Sequence, residues 1–366
     1  MNIINRITDE NVLVLSASGR IDSNNATLFE AGLMAQLDMH PGLSVEFDAS
    51  GIEYISSAGL RVFLKMHKKL KGNLVIDNVK NEVYSIFETT GFTRMIDVRR
   101  GMRNIGSVLR LKPLGVSFNG RSYKLSEDEL VKVYKSSVDL SEIQKERELA
   151  QEAMILGVPT AIPYDVVKCG DQNYYGVIFE AMKSADSMAE VISKDRSKLE
   201  PLARRLGALV RELHSLNPDK DVFPNIKERY KGWINMAGNK LPADKKRDMR
   251  ALIEAMPESD TYVHGDIRID NVMVLGDELI LTDMSESGYG HRIFDLQGLY
   301  ASLIEMEKET PYYTSTNYGL SQDDCRRIWE VFYKEYMGDT DMASYGKMND
   351  LLKKYYKLTQ TLSGVI

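Results

Sequence analysis

The run His264-Gly265-Asp266-Ile267-Arg268-Ile269-Asp270-Asn271, followed by Asp283, gathers an imidazole, an amide and several carboxylates in one short stretch. These residue types at this spacing suit phosphoryl transfer. Asp266 is placed to accept a proton from an attacking hydroxyl. Val272-Met273-Val274 and Leu279-Ile280-Leu281 flank Gly276-Asp277, which is a hairpin signal. Folding about that turn sets Asn271 and Asp283 roughly opposite each other, and paired Cα atoms on antiparallel strands lie only about 4.5–5.5 Å apart. A carboxylate and an amide oxygen that close suit Mg²⁺, which takes one or two protein ligands and completes its shell with phosphates and water. Asp and Asn beside a hairpin are also ordinary turn chemistry, so spacing alone leaves both readings open.

A phosphotransferase of this kind needs a strand lysine for the α- and β-phosphates and a helix glutamate to orient it. Lys132 puts a charge at the centre of the β pattern Val131-Lys132-Val133-Tyr134. Glu146 follows on a helix expected over 141–156, with Ser141 as its cap, and shares the inner face of Ile143 and Ala150. Glu148 is the alternative on a more polar side. The turn Gly115-Val116-Ser117-Phe118-Asn119-Gly120-Arg121 precedes Lys132 at a distance that suits a phosphate cover, with Ser117 and Asn119 as its polar members. No GxxxxGK[ST] sequence occurs anywhere.

Taken in chain order, loop, Lys132, Glu146, Asp266, Asn271 and Asp283, the segment from about Ile105 onward resembles the aminoglycoside phosphotransferase and choline kinase-like family, a branch of the protein-kinase-like fold. The resemblance is carried by His264-Gly265-Asp266 with Asn271, by Leu281-Thr282-Asp283, and by Gly290-His291-Arg292-Ile293-Phe294-Asp295-Leu296. It implies that Asp266 is the catalytic base, that Asn271 and Asp283 bind Mg²⁺, and that Lys132 holds the ATP phosphates. It implies a hinge over 179–182 whose backbone meets the adenine, with Glu180 and Met182 among the nucleotide-binding residues. Asp295 would fix the catalytic loop by hydrogen bonds, and His264 would buttress it rather than ligate metal. His214 reads as a packed core histidine. Tyr312 and Tyr313 suit either a substrate cleft or plain exposure, and Asp270 and Glu286 either a cationic substrate or solvent.

The first hundred residues alternate strand and helix patterns, with strands at Val12-Leu13-Val14-Leu15, Leu43 to Phe47 and Leu74-Val75-Ile76, and helices after each. That order implies a small sheet with helices packed against it. Asp48-Ala49-Ser50-Gly51-Ile52-Glu53-Tyr54-Ile55-Ser56-Ser57-Ala58-Gly59-Leu60-Arg61, with Gly19-Arg20-Ile21-Asp22, resembles the signature of STAS domains, the fold of bacterial anti-sigma factor antagonists. Regulatory members carry a phosphorylated serine at the start of the helix after the third strand, and Ser57 matches it. The family often has aspartate just before this serine, where this chain has Ser56. A phosphate there would meet free N–H donors and the positive end of the helix dipole. Ser56 or Ser57 could equally serve as a helix cap.

The expected organisation is an α/β STAS-like domain over 1–100, a polar linker over 101–106 and an α+β bilobal kinase-like domain over 107–366, with lobes meeting near 182–183. The pattern already lapses from 97, and 108–111, 122–125 and 130–134 look like successive strands. At 43% hydrophobic and 27% charged, with net charge −6, the 366-residue chain suits a soluble cytoplasmic protein whose main business is not nucleic acid. No stretch approaches the roughly 18 apolar residues of a membrane span. Cys169 and Cys325 are too far apart in sequence to form a CxxC pair. The leading expectation is an ATP- and Mg²⁺-dependent phosphotransferase acting on a small hydroxyl-bearing molecule, with the STAS-like domain as regulator or docking module. The alternative is a non-catalytic signalling protein that binds an anti-sigma-type partner and senses nucleotide.

Overall fold

The structure, a computed structural model, describes residues 2–116, 119–170, 174–183, 185–338 and 342–365. Ser117 therefore lies outside the described residues. The chain divides into two units, Met1–Asn104 and Ile105–Ile366.

In the first unit β1 (Ile3–Ile7) turns back into β2 (Val12–Ala17), and β3 (Gly19–Ile21) leads into α1 (Ala26–Met39). Then follow β4 (Ser44–Asp48), β5 (Ile52–Ile55), α2 (Ser57–Lys69), β6 (Leu74–Val79), α3 (Asn81–Thr89) and β7 (Asp97–Arg100). The main sheet has the order β1-β2-β4-β6-β7. Only β1 runs antiparallel to its neighbour, and β2, β4, β6 and β7 are parallel. Alternation explains the core: Leu13, Leu15, Val45, Phe47, Leu74 and Ile76 point to one face and are buried. The helices cover that face with Phe29, Phe63 and Phe87, whose rings meet Phe47 and one another at 4.9–6.0 Å. A short parallel pair, β3 with β5, stands beside the main sheet and carries α2.

The stretch 97–106 is not all linker. Its first residues form β7, because Val98 is buried beside Ile76 while its charged neighbours stay in solvent.

In the second unit β8 (Pro113–Val116), β9 (Gly120–Lys124), β10 (Glu129–Tyr134), β11 (Pro163–Lys168) and β12 (Tyr175–Glu180) form an antiparallel sheet of order β11-β12-β10-β9-β8. Helix α4 (Leu140–Leu156) packs on β11 and β12. Residues 108–110 form a 3₁₀ turn rather than a strand, and the edge strand starts at Pro113. Asp139, not Ser141, occupies the N-cap of α4.

The rest is mainly helical, with β13 (Asp186–Ser187), α5 (Met188–Lys194), α6 (Leu199–Leu213), α7 (Ile226–Met236), α8 (Ala243–Glu254) and β14 (Tyr262–Val263). A hairpin of β15 (Val272–Leu275) with β16 (Glu278–Leu281) is followed by β17 (Gly288–Tyr289) and α9 (Ile293–Tyr300). A π-helical turn over Ala301–Glu305 leads into α10 (Met306–Glu309), α11 (Tyr313–Tyr318), α12 (Gln322–Met337) and α13 (Met342–Ser363). Helix α6 buries Leu202, Leu206, Val210 and Leu213 on one stripe, in the same core as Trp329 and Phe332 of α12. This unit is an α+β bilobal kinase-like domain.

Candidate active site

Strand β10 lies inside its sheet, where Lys132 pairs with Val177 of β12 and Ser122 of β9. Alternation sends Val131 into the apolar cluster of Val167, Cys169 and Ile178. It sends Lys132 to the other face, toward α4. There the Lys132 ammonium meets Glu146 Oε1 at 2.6 Å and Asp283 Oδ1 at 3.1 Å. Side chains of Lys132 and Glu146 are 9% and 7% exposed, so each charge depends on the other for compensation. Burial works against the ammonium, but Glu146 and Asp283 outweigh it and raise its pKa above the ordinary lysine value. Glu148, the sequence alternative, is exposed and pairs with Lys145.

The loop from His264 to Asn271 is held from below. Asp295, on α9 and 1% exposed, accepts the backbone N–H of His264 at 2.9 Å and of Gly265 at 2.6 Å. Its Oδ2 also meets His214 Nε2 at 3.0 Å, and His214 Nδ1 meets the Tyr336 hydroxyl at 2.6 Å. The His214 side chain is only 5% exposed, but it is tied to the loop and is not merely packed. His264 is fully buried, and its Nδ1 accepts the Asp266 N–H at 3.2 Å. Gly265 adopts φ +89, and a Cβ there would stand 2.4 Å from the Glu286 carbonyl oxygen. Only glycine fits both constraints.

Asn271 donates through Nδ2 to Asp266 Oδ2 at 2.8 Å and to the Asp266 carbonyl at 3.2 Å. In the hairpin Val272 pairs with Leu281, and Asn271 O accepts Thr282 N at 3.0 Å. Asp283 thus stands one residue beyond the position opposite Asn271. It takes a left-handed φ of 65, uncommon for a residue with a Cβ, and Ser285 Oγ donates to its Oδ1 at 2.8 Å. Burial raises the Asp283 carboxyl, but Lys132 and Ser285 reverse this and leave it below the usual aspartate value. Asp266 shifts the other way, because burial outweighs the pull of Arg268.

The donor set fits a hard cation. Asp283 Oδ2 and the Asn271 amide oxygen take no hydrogen bond among the described residues, and both are oxygen ligands of the kind Mg²⁺ selects. Among the described residues no group of three or more His, Cys, Asp or Glu converges as a metal cage.

At the hinge, Glu180 N donates to Ile162 O and Ala181 N to Asp128 O, both at 2.9 Å. An open pocket of about 310 Å³ lies against Glu180, Ala181 and Met182, with Leu275 from the β15–β16 hairpin on its wall. None of Lys132, Asp266 or Asn271 lines it. Asn119 is tied through its carbonyl to Lys135 N at 2.9 Å, next to the β9–β10 pair.

Other contacts were not legible as motifs. Arg268 forms a two-point pair with Asp270, both bonds 3.2 Å, and its Nε lies 3.8 Å from Asp266 Oδ1. Glu286 is paired with Arg229 at 2.9 Å. Arg268 stood within the motif as an unremarked cation between two aspartates, and that was its only signal.

In the first unit, Ser57 is exposed at the first residue of α2. Ser56 takes the N-cap position with extended backbone, yet makes no side-chain cap bond, and its buried Oγ has no partner among the described residues. Gly59 allows α2 to lie close to β3 and β5. A Cβ there would come within 2.6 Å of Ile21 and 2.7 Å of Ile55.

Fold and site together define a kinase-like phosphotransferase domain joined to a STAS domain. The chain belongs to the phosphotransferase enzyme family (APH), which matches residues 110–328, and a STAS domain matches residues 4–105. Over 92 residues, 24% of this chain and 78% of the relative, it is 38% identical to BtrV of Bordetella bronchiseptica, a protein named as an anti-sigma factor antagonist. It is 28% identical over 93 residues to the anti-sigma-B factor antagonist of Bacillus subtilis, covering 25% of this chain and 84% of that one. Among solved structures, a choline/ethanolamine kinase family protein from Mesorhizobium loti is 19% identical with a TM-score of 0.45, covering 71% of this chain and 80% of that one. Among the described residues no helix is long and apolar enough to cross a membrane.

Proposed function

We propose that the second domain transfers the γ-phosphate of ATP to a hydroxyl of a small molecule. The observation that carries this reading is the convergence of the buried Lys132–Glu146 pair on Asp283, beside an Asp266 held by Asn271. Lys132, kept charged and oriented by Glu146, binds the α- and β-phosphates. Glu180, Met182 and Asn119 bound the nucleotide. Asn271 and Asp283 would hold Mg²⁺, which would supply positive charge to offset that of the phosphates. The acceptor hydroxyl forms the new P–O bond and gives its proton to Asp266 as the bond to the β-phosphate oxygen breaks. Asp295 and His264 keep the loop in place. A dead nucleotide sensor has no use for a base at Asp266, so the intact set favours catalysis over the purely binding alternative.

For the first domain, we propose docking to an anti-sigma-factor-type partner, switched by phosphate on Ser57. The exposed Ser57 hydroxyl at the start of α2 supports this, because a phosphate there is stabilised by the helix N-terminus.

The test is γ-phosphate transfer with Mg²⁺ across a panel of hydroxylated compounds, comparing wild type with Asp266→Asn. Equal turnover by the two proteins would sink the catalytic assignment. Mass mapping of Ser57 after growth or partner incubation tests the switch.

A further inference from the structure

Strand β10 sends Tyr134 as well as Lys132 to the face that meets α4. The two are separated by one residue, so alternation puts both on that side. Tyr134 is 2% exposed and clusters with Val177 of β12, the register partner of Lys132, and with Ile143 of α4. Ile143 precedes Glu146 by three residues, so those two share a face of the helix. Tyr134 thus lies among the neighbours of the buried pair. The Lys132 ammonium stands 5.2 Å from the centre of its ring, within the roughly 6 Å over which an aromatic face attracts a cation.

Phenylalanine would serve for packing alone. The Tyr134 hydroxyl is buried, and leaving such a group unanswered costs about 1–3 kcal/mol. Its hydrogen-bonding neighbour is the carboxylate of Glu146, although the two are not fully aligned. Lys132 engages that carboxylate through Oε1 at 2.6 Å, which leaves Oε2 clear of the ammonium. Burial, and then the charge of Glu146, hold the phenol far above its usual pKa, so it remains an O–H donor. Glu146 needs one, because burial lifts its carboxyl above the usual glutamate value despite the pull of Lys132. Of the two carboxylates that share Lys132, Asp283 is the one proposed for Mg²⁺. Glu146 is then the one left to aim the ammonium.

We propose that Tyr134 is a positioning residue for Lys132. Its hydroxyl donates to Glu146 and its ring faces the ammonium, and together they fix the direction in which Lys132 presents its charge to the nucleotide phosphates. The inference rests on the phosphotransferase reading above, in which Lys132 binds those phosphates.

The experiment measures ADP affinity of the full chain by titration calorimetry. Four proteins are compared: wild type, Lys132→Met with Glu146→Met, and each of these with Tyr134→Phe, which removes the hydroxyl and keeps the ring. Tyr134→Phe should weaken ADP about fivefold in the wild-type background and by less than about twofold where the pair is absent. Adenosine, which has no phosphates, should bind wild type and Tyr134→Phe within about twofold of each other. Unchanged ADP affinity in Tyr134→Phe, equal losses in the two backgrounds, or equal losses for ADP and adenosine overturns the positioning role and leaves the phosphotransferase reading standing. ADP bound as tightly without the pair as by wild type, or not bound by wild type at all, overturns both.

Discussion

The imidazole of His214 meets the carboxylate of Asp295 at 3.0 Å, across 81 residues of sequence. Because the same carboxylate accepts the N–H groups of His264 and Gly265, this contact links α6 to the loop that carries Asp266. Tyr336 extends the link to α12. His214→Leu roughly keeps the volume but leaves one Asp295 oxygen without this partner. The expected outcome is a fall in kcat of about 10- to 100-fold from a small misplacement of the base, with KM for ATP nearly unchanged. Steady-state kinetics check it, and a matched rise in KM with constant kcat would show that His214 only packs.

Lys132 and Glu146 should prove separable in stability but not in activity. Lys132→Met leaves Glu146 buried without its counter-charge and should destabilise the second domain by about 3–5 kcal/mol. The double change Lys132→Met with Glu146→Met should recover much of that stability, since a buried pair is often replaceable by apolar groups of similar volume. Phosphate transfer should be lost in both. The sequence has only two tryptophans, Trp233 and Trp329, both in this domain, so their fluorescence follows its unfolding alone.

His291 supplies a pH-dependent contribution. Its Nδ1 accepts the Ile293 N–H at 3.3 Å at the start of α9, which requires a neutral ring. Burial, with Arg292 and His214 nearby, lowers its pKa from the ordinary value of 6.5. Between that value and the lowered folded one, the unfolded chain binds more protons, so stability falls as pH drops through this window. His291→Gln should flatten that part of the profile, as measured by tryptophan-detected unfolding between about pH 7 and pH 5.

Gly59→Ala brings a methyl within 2.6 Å of Ile21 and 2.7 Å of Ile55, which forces α2 away from β3 and β5. The cost should be about 1–3 kcal/mol, typical of overpacking. Hydrogen exchange followed by mass spectrometry should show lost protection in peptides from 1–104 and none in those from 105–366.

Ser57→Asp places a negative charge at the exposed first residue of α2. It should leave the first domain at least as stable, because acidic groups at a helix N-terminus gain about 0.3–1 kcal/mol. Binding to an anti-sigma-type partner should differ from Ser57→Ala by about tenfold or more, as measured by titration calorimetry. Equal affinities of the two variants would remove Ser57 as the switch.

The features that could be read directly from the residues are those decided locally. The periodic spacing of Phe29, Leu33 and Leu37 marks α1, and the apolar runs around Gly276-Asp277 mark the β15–β16 hairpin with its Val272–Leu281 pairing. Both have short-range causes, side-chain alternation and turn chemistry. Where the signal was sparse the sequence misled: β7 has one buried residue, Val98, among charged ones, so no alternation announces it. Leu109, in the stretch taken for a strand, is 89% exposed within a 3₁₀ turn. The choice of Glu146 over Glu148 was readable from helix phase, because burial on α4 follows the i, i+3, i+4 stripe. Residue types and order in the motif determined which groups are present for chemistry. Only the tertiary structure decided that Lys132 touches Asp283 across 151 residues, that His214 holds Asp295, and that Arg268 occupies the space between Asp266 and Asp270. The physical reason is that a buried charge or hydroxyl can be placed only where its partner arrives, and those partners come from distant elements brought together by packing.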